Sequence, residues 1–128
     1  MIQSLVCDFL IRLKNSSLAG NKTMTAPNSR LCKNIAEVLK KNKYIEDFSV
    51  SSDNRDLTLT LSYENDTPAV SMVKIFSKPG RRWYEKSSSL PWGQSKESLI
   101  IISTSSGVIS QREAKKKGIG GEIIAEIC

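Results

Sequence analysis

The 128-residue chain is 39% hydrophobic and 25% charged, which is enough apolar surface to close a core in one domain or two small lobes and excludes a disordered class. Its net charge of +6 is unevenly spread, with nine Lys/Arg against eight Asp/Glu in residues 1–66 and ten against five in residues 67–128. A surplus of +5 in the second half favours a polyanionic partner, because clustered cations displace counterions from a phosphate backbone, although a merely solvated basic surface has the same sum.

Histidine is absent, which removes the commonest general base, the commonest metal ligand and every Ser-His or Cys-His pair. Cys7, Cys32 and Cys128 are odd in number and far apart, so neither a disulfide framework nor a CxxC metal site is indicated, and a reducing compartment is the simplest expectation. No apolar run nears the roughly 18 residues that span a bilayer, and Asp8 and Arg12 interrupt the stretch where a secretory signal would be apolar, so no membrane association is expected.

Along the chain, Ile2, Leu5, Val6, Phe9, Leu10 and Leu13 recur at helical spacing and predict an amphipathic first helix. Residues 15–27, rich in Asn, Ser, Thr and Gly, predict a loop, with room for a short strand, before Pro27-Asn28-Ser29 offers a stop and N-cap candidates. A second helix follows, with Leu31, Ile35, Val38 and Leu39 on its buried stripe and Lys40 and Lys41 in the last turn, where they complement the helix dipole. Leu57, Leu59, Leu61 and Tyr63 alternate with Thr58, Thr60 and Ser62, predicting a half-buried strand paired with residues 48–52 across a Ser-Asp-Asn-Arg-Asp turn. Residues 65–68 mark the expected boundary between an N-terminal lobe, 1–66, and a C-terminal lobe, 67–128.

In the second lobe, residues 70–76 predict a strand, and the apolar run Leu99 to Ile102 predicts a fully buried one ending at Ser103-Thr104-Ser105-Ser106-Gly107. Ser110-Gln111-Arg112-Glu113 is a capping box, Ser at N-cap and Glu at N3, opening a short helix that runs to Lys117 before Gly118; residues 122–127 form a closing strand. The expected class is therefore α+β: two helices and a hairpin or small sheet first, then a mainly β lobe with one short helix.

Few constellations offer chemistry. In Gly118-Ile119-Gly120-Gly121 a helix precedes and a strand follows, the reverse of a dinucleotide fingerprint, so the glycines fit a tight helix-to-strand turn better than a nucleotide site. Ser105 lacks both the flanking glycine of a nucleophile elbow and a histidine to activate it. Four adjacent hydroxyls at the end of a buried strand do suit hydrogen bonding to phosphates, ribose 2′-hydroxyls or base edges, beside the plainer reading of a polar loop. Lys78-Pro79-Gly80-Arg81-Arg82-Trp83-Tyr84 sets three cations beside two aromatics around a stiffened turn; Trp83 and Tyr84 point to opposite faces if extended, so one of them is expected in the core. Lys115, Lys116 and Lys117 add cations at a helix end, open both to the dipole reading and to phosphate contact.

These residues match a known pattern. Asp8, Leu10-Ile11-Arg12, Asn15, Pro27, Ser29, Arg30-Leu31, Ile35-Ala36 and Tyr44-Ile45 occur in the first half. Ser77 to Arg82 with Tyr84, Leu90-Pro91, Ser103-Thr104-Ser105 with Gly107-Val108, Arg112-Glu113-Ala114 and Gly118 to Glu122 follow in order. Over nearly its whole length the chain resembles the eighth protein family of the bacterial-type small ribosomal subunit, and the Lys-Pro-Gly-Arg turn, Ser-Thr-Ser loop and Gly-Gly-Glu tail are the most specific parts of the likeness.

The resemblance implies a two-lobed α+β protein, monomeric within the ribosome, that binds a three-way region in the central domain of small-subunit rRNA early in assembly, beside neighbouring small-subunit proteins. It implies no catalysis, no cofactor and no metal. The family's principal contacts map onto Ser103, Thr104, Ser105, Gly107 and the turn made by Lys78, Pro79, Gly80, Arg81, Arg82 and Tyr84, with Glu122 shaping the site; Lys115 and Lys116 are candidate phosphate contacts beside them. A secondary contact maps onto Arg12, Lys14, Asn15, Ser29 and Arg30. The chain departs from the family where many relatives have Lys or Arg and it has Ser106, at Glu97-Ser98-Leu99-Ile100, at Trp92-Gly93-Gln94, and in its last four residues. Such drift fits a reduced, divergent bacterium, with a cytoplasmic ribosome, or an organelle with its own. The rival readings are a regulatory RNA binder acting off the ribosome on a message that mimics the rRNA site, and a small enzyme using Asp8, Glu113 or Glu122, which lacks a paired-acid motif.

Overall fold

The computed structural model describes residues 4–78, 80–91 and 98–128. Ile2, Pro79, Trp92 to Gln94 and Glu97, named above, lie outside the described residues.

The first helix, α1 (Ser4–Leu18), buries Val6, Phe9, Leu10 and Leu13 along one stripe, as its spacing predicts. It runs through Asn15, Ser16 and Ser17 rather than stopping at the polar run, and Ser17 is itself buried. The polar run then gives way to a strand, β1 (Thr23–Pro27), in which Met24 and Ala26 alternate inward between exposed Thr23, Thr25 and Pro27. The expected loop thus shrinks to 19–22.

Ser29 caps α2 (Arg30–Lys41): its backbone is extended and its hydroxyl accepts a hydrogen bond from Cys32 N at 3.1 Å, satisfying one orphan amide of the first turn. Cys32, Ile35, Ala36, Val38 and Leu39 form the buried face. β2 (Ile45–Val50) and β3 (Asp56–Leu61) then pair antiparallel, and β3 is central in a three-stranded sheet of order β1-β3-β2. Leu57, Leu59 and Leu61 point from β3 towards the helices; each buried leucine contributes about 1.5–3 kcal/mol.

A short hairpin, β4 (Tyr63–Glu64) and β5 (Thr67–Pro68), turns at Asn65 and Asp66, both at positive φ. Beyond it lie β6 (Val73–Ile75), shorter than the 70–76 strand expected, β7 (Tyr84–Glu85), a 3-10 turn at Ser87–Ser89, β8 (Leu99–Thr104), β9 (Gly107–Ser110), α3 (Gln111–Lys117) and β10 (Gly121–Ile127). They form a five-stranded sheet in the order β6-β10-β8-β9, with β7 also on β10.

This sheet has a core on both faces, which is why Leu99 to Ile102 is an unbroken apolar run. Leu99 and Ile101 join the cluster under α1 and α2, while Ile100 and Ile102 pack with Leu90, Ile109, Ala114 and Ile123 on the other side. A bulge at Ile124 in β10 turns both Ile124 and Ala125 to the larger cluster. The buried Gln111 side chain closes the start of β8, accepting from Ile100 N at 2.8 Å and donating to Ser98 O at 3.0 Å. The Ser110 half of the capping box forms, its Oγ accepting from Glu113 N, whereas the Glu113 carboxylate accepts from Lys41 Nζ at 2.8 Å; Gly118 ends α3 in the left-handed region. The fold is α+β, with helices concentrated in the N-terminal half and sheet in the C-terminal half.

Candidate nucleic-acid interface

The principal candidate residues converge at one end of the five-stranded sheet. Tyr84 pairs with Glu122, Glu122 with Ser103, and Ser103 with Val108, so one rung crosses β7, β10, β8 and β9. Directly opposed residues in antiparallel strands project to the same face, so Tyr84, Glu122 and Ser103 form a row. Exposure changes sharply along it: Tyr84, at one end, is 59% exposed, whereas Glu122, in the middle, is only 4% exposed. Glu122 Oε2 is buried and has no hydrogen-bond partner among the described residues.

Two glycines let this row close up. A Cβ on Gly121 would lie 2.1 Å from Ser103 O, and one on Gly120 would lie 2.2 Å from Glu85 O, both backbone atoms that have no room to yield. The Gly-Gly pair is therefore a close-approach device, which fixes Glu122 between its neighbours.

Beyond the rung, β8 turns directly into β9. Thr104 opposes Gly107, leaving Ser105 and Ser106 as the exposed two-residue tip of a hairpin. What reads in sequence as a five-residue polar loop is a tight turn; β9 is the element the reading missed. Thr104 Oγ1 ties the tip together, donating to Gly107 O at 2.8 Å and accepting from Ser106 N at 3.1 Å. The Thr104 hydroxyl is thus engaged within the turn, and Ser105 presents its own outward.

The cationic turn is anchored beneath. Lys78 and Arg81 exchange both backbone hydrogen bonds, each 2.9 Å, with Gly80 at φ +81°, a conformation that favours glycine. Ser77, fully buried, holds the base of the turn: its hydroxyl donates to Ile123 O at 2.6 Å and accepts from Trp83 N at 3.0 Å. Trp83 is the core aromatic of the pair, packing edge-on against Phe76 with centroids 5.2 Å apart, and its indole N–H donates to Glu85. Tyr84 is the exposed one. Ile75, Phe76 and Trp83 floor an open groove of about 480 Å³, with Lys78, Arg81 and Arg82 around it. Among the described residues none of these three cations has a salt-bridge partner. Pro79 lies outside the described residues.

Lys78 also faces α1. Burial pushes the Cys7 thiol up, and the nearby Lys78 ammonium acts against that shift. Lys115 and Lys116 occupy the last turn of α3; Lys116 is exposed, while desolvation lowers the pKa of the half-buried Lys115.

The secondary residues are not part of the rung. Arg12 is committed internally, its guanidinium reaching Thr25 O at 3.0 Å and Asp8 at 3.1 Å, which pins α1 to β1. Asn15 and Arg30 are exposed, Lys14 is half-buried, and the Ser29 hydroxyl is taken up by the α2 cap.

Residues 4–128 match the family described as ribosomal protein S8. The chain belongs to that family. It is 40% identical to the small ribosomal subunit protein uS8 of Spiroplasma kunkelii over 128 residues, covering 99% of each chain. Against the protein of the same name from Bifidobacterium longum subsp. infantis it is 43% identical over 123 residues, 94% and 93% of the two chains. Against that of Neisseria meningitidis serogroup C it is 39% identical over 120 residues, 93% and 92%. For a ribosomal protein S8 family member, a surface that combines unpaired cations, exposed hydroxyls and a buried carboxylate is chemically suited to a partner that carries both phosphates and hydrogen-bond donors. Among the described residues no helix is long and apolar enough to cross a membrane.

Proposed function

We propose that this chain is a non-enzymatic structural constituent of the small ribosomal subunit, binding the central domain of small-subunit rRNA through the Tyr84-Glu122-Ser103 rung, the Ser105 hairpin tip and the Lys78 to Arg82 turn. The observation that carries the reading is Glu122: a carboxylate 4% exposed, held in a row of the sheet with one oxygen unpartnered among the described residues. An unmet buried acceptor costs about 1–3 kcal/mol, more when charged, so such a group is kept where a partner supplies a donor. RNA offers donors in its 2′-hydroxyls and in base amino and imino groups, whereas a phosphate would be repelled.

The division of labour follows from charge. Lys78, Arg81 and Arg82, with Lys115 and Lys116, neutralise phosphates and steer the RNA in. Glu122, Ser103 and Ser105 select the local shape that presents donors and acceptors to them, and Tyr84 gives a ring on which a base or ribose packs. Arg12, Lys14, Asn15, Ser29 and Arg30 provide a second, weaker contact, with Arg12 acting mainly by holding α1 and β1 in place.

Ser105→Ala removes one hydroxyl at the tip and is expected to weaken binding to a central-domain rRNA fragment by about 1–3 kcal/mol. Glu122→Gln, isosteric but neutral, is expected to lose at least tenfold without a change in folding. Both are read by calorimetric titration, with sucrose-gradient fractionation to establish that the protein migrates with small-subunit particles. Unchanged affinity in both variants would overturn the site, and absence from small-subunit particles would overturn the ribosomal role.

A further inference from the structure

The cationic turn is an excursion from one edge of β10. β8 holds the other edge, so β6 and β7 share this one, and continuing their two registers places both Ser77 and Trp83 opposite Ile123. The chain leaves the sheet at Ser77 and rejoins it at Trp83, with Lys78, Gly80, Arg81 and Arg82 exposed outside the β10 ladder.

The point of departure is closed in an unusual way. Two residues that face each other in a hydrogen-bonded antiparallel pair exchange both of their backbone bonds. Trp83 and Ile123 make one of the two directly, Ile123 N donating to Trp83 O at 2.8 Å. The other is relayed: Trp83 N donates to the Ser77 hydroxyl at 3.0 Å, and that hydroxyl donates to Ile123 O at 2.6 Å. Ser77 N is held as well, donating with Phe76 N to Ile124 O, at the β10 bulge. We propose that Ser77 is a positioning residue of the RNA site, its hydroxyl setting the cationic turn against the Tyr84-Glu122-Ser103 rung so that both meet one RNA together. The proposal rests on the RNA reading above.

Ser77 is fully buried, so its effect on a ligand runs only through what it holds. Without the hydroxyl, Trp83 N–H and Ile123 C=O are left unmet, or they close on each other and one bond of about 2.9 Å replaces two. Either outcome shifts the base of the turn, by on the order of 1 Å. Lys78, Arg81 and Arg82 have no salt bridge among the described residues to hold them in place of it. Trp83 and Ile123 are the chain neighbours of Tyr84 and Glu122, so the same hydroxyl lies one residue from two members of the rung. A serine that merely filled the core would affect stability and leave the phosphate contacts of a folded protein as they were.

The test is the salt dependence of binding of the whole protein to a central-domain rRNA fragment, by calorimetric titration, beside the Tm of each variant. Ser77→Ala keeps every cation. It is nevertheless expected to lower the slope of log affinity against log salt by about 1–2, and affinity by at least tenfold. Added to Arg81→Ala/Arg82→Ala, it is expected to lower the slope little further. Ser77→Cys, close in size with a weaker donor and acceptor, should fall between the parent and the alanine variant. Val38→Ala, in the core under α2, is expected to lower Tm with the slope unchanged. The proposal is overturned if Ser77→Ala lowers Tm and leaves the slope at the parent's value, if its loss adds in full to that of the arginine pair, or if Val38→Ala lowers the slope as much. Should the alanine variant not fold, the cysteine variant decides: a slope below the parent's supports the proposal and an unchanged one overturns it. Failure of the RNA reading shows separately, as an unaltered slope in Arg81→Ala/Arg82→Ala itself.

Discussion

Substituting Gly121 by alanine tests the geometry of the rung without removing any polar group. The added methyl would sit 2.1 Å from Ser103 O and 2.9 Å from Ser103 C. Carbon and carbonyl oxygen need more than 3 Å, so β10 and β8 would have to separate by about 1 Å at the row that holds Glu122 beside Ser103. Overpacking of this kind costs about 1–3 kcal/mol. For a chain of this size that is roughly 4–12 °C in Tm, measured by calorimetry. The larger effect is expected on RNA: a displaced row no longer aligns Tyr84, Glu122 and Ser103, and affinity for central-domain rRNA should fall by at least tenfold even well below the melting temperature, where the variant is folded. A variant as stable and as tight-binding as the parent would refute the close-approach argument.

Other consequences follow from the same geometry. Thr104→Val loses both hydrogen bonds of the hairpin tip and is expected to cost about 1 kcal/mol in stability and several-fold in RNA affinity, while Thr104→Ser retains both; denaturant titration and calorimetry separate the two. Arg81→Ala/Arg82→Ala is expected to lower the slope of log affinity against log salt by about 1 per cation, with folding unchanged; an unaltered slope means neither touches phosphate. The Lys41 ammonium, 2.8 Å from Glu113 and joining the end of α2 to the start of α3, holds the Glu113 carboxyl below its ordinary value of 4.5. A carboxyl depressed on folding stabilises the protein above its unfolded pKa and loses that contribution as pH falls through the folded one. Lys41→Met should therefore cost about 0.2–1 kcal/mol at neutral pH, as exposed pairs do, and the two proteins should converge below pH 4.5. A difference that persists into acid would point to packing instead.

Local signals with a physical mechanism were legible in the chain. Ser29 and Ser110 cap the helices that their spacing announces, and the Leu57 to Leu61 alternation is a strand with one buried face. The continuous run Leu99 to Ile102 is a strand buried on both faces, since its sheet carries a core on each side. Tertiary context decided what was misread. β1 is polar at every other position and only five residues long, so its two inward residues, Met24 and Ala26, leave too little periodic signal amid Thr and Pro. β9 was hidden because the hydroxyl run around Ser105 resembles a loop, yet only two of those residues lie outside the ladder. The candidate site shows the same division. The cationic turn and hydroxyl run stand out by composition, whereas the alignment of Tyr84 with Glu122 and Ser103 depends on strand order and register, which join residues 84, 103 and 122 across three separate segments. Gly121 likewise reads as a turn glycine until the carbonyl of Ser103 is seen against it.

If the end of the five-stranded sheet is the RNA surface, RNA must shield its backbone there. Amide hydrogen exchange of the full chain, free and bound to a central-domain fragment of small-subunit rRNA, tests it most directly. New protection is expected at residues 77–84, 103–108 and 121–122, and none along the outer face of the three-stranded sheet. Protection confined to β2 and β3, with the hairpin tip and the cationic turn exchanging as in the free protein, would contradict it.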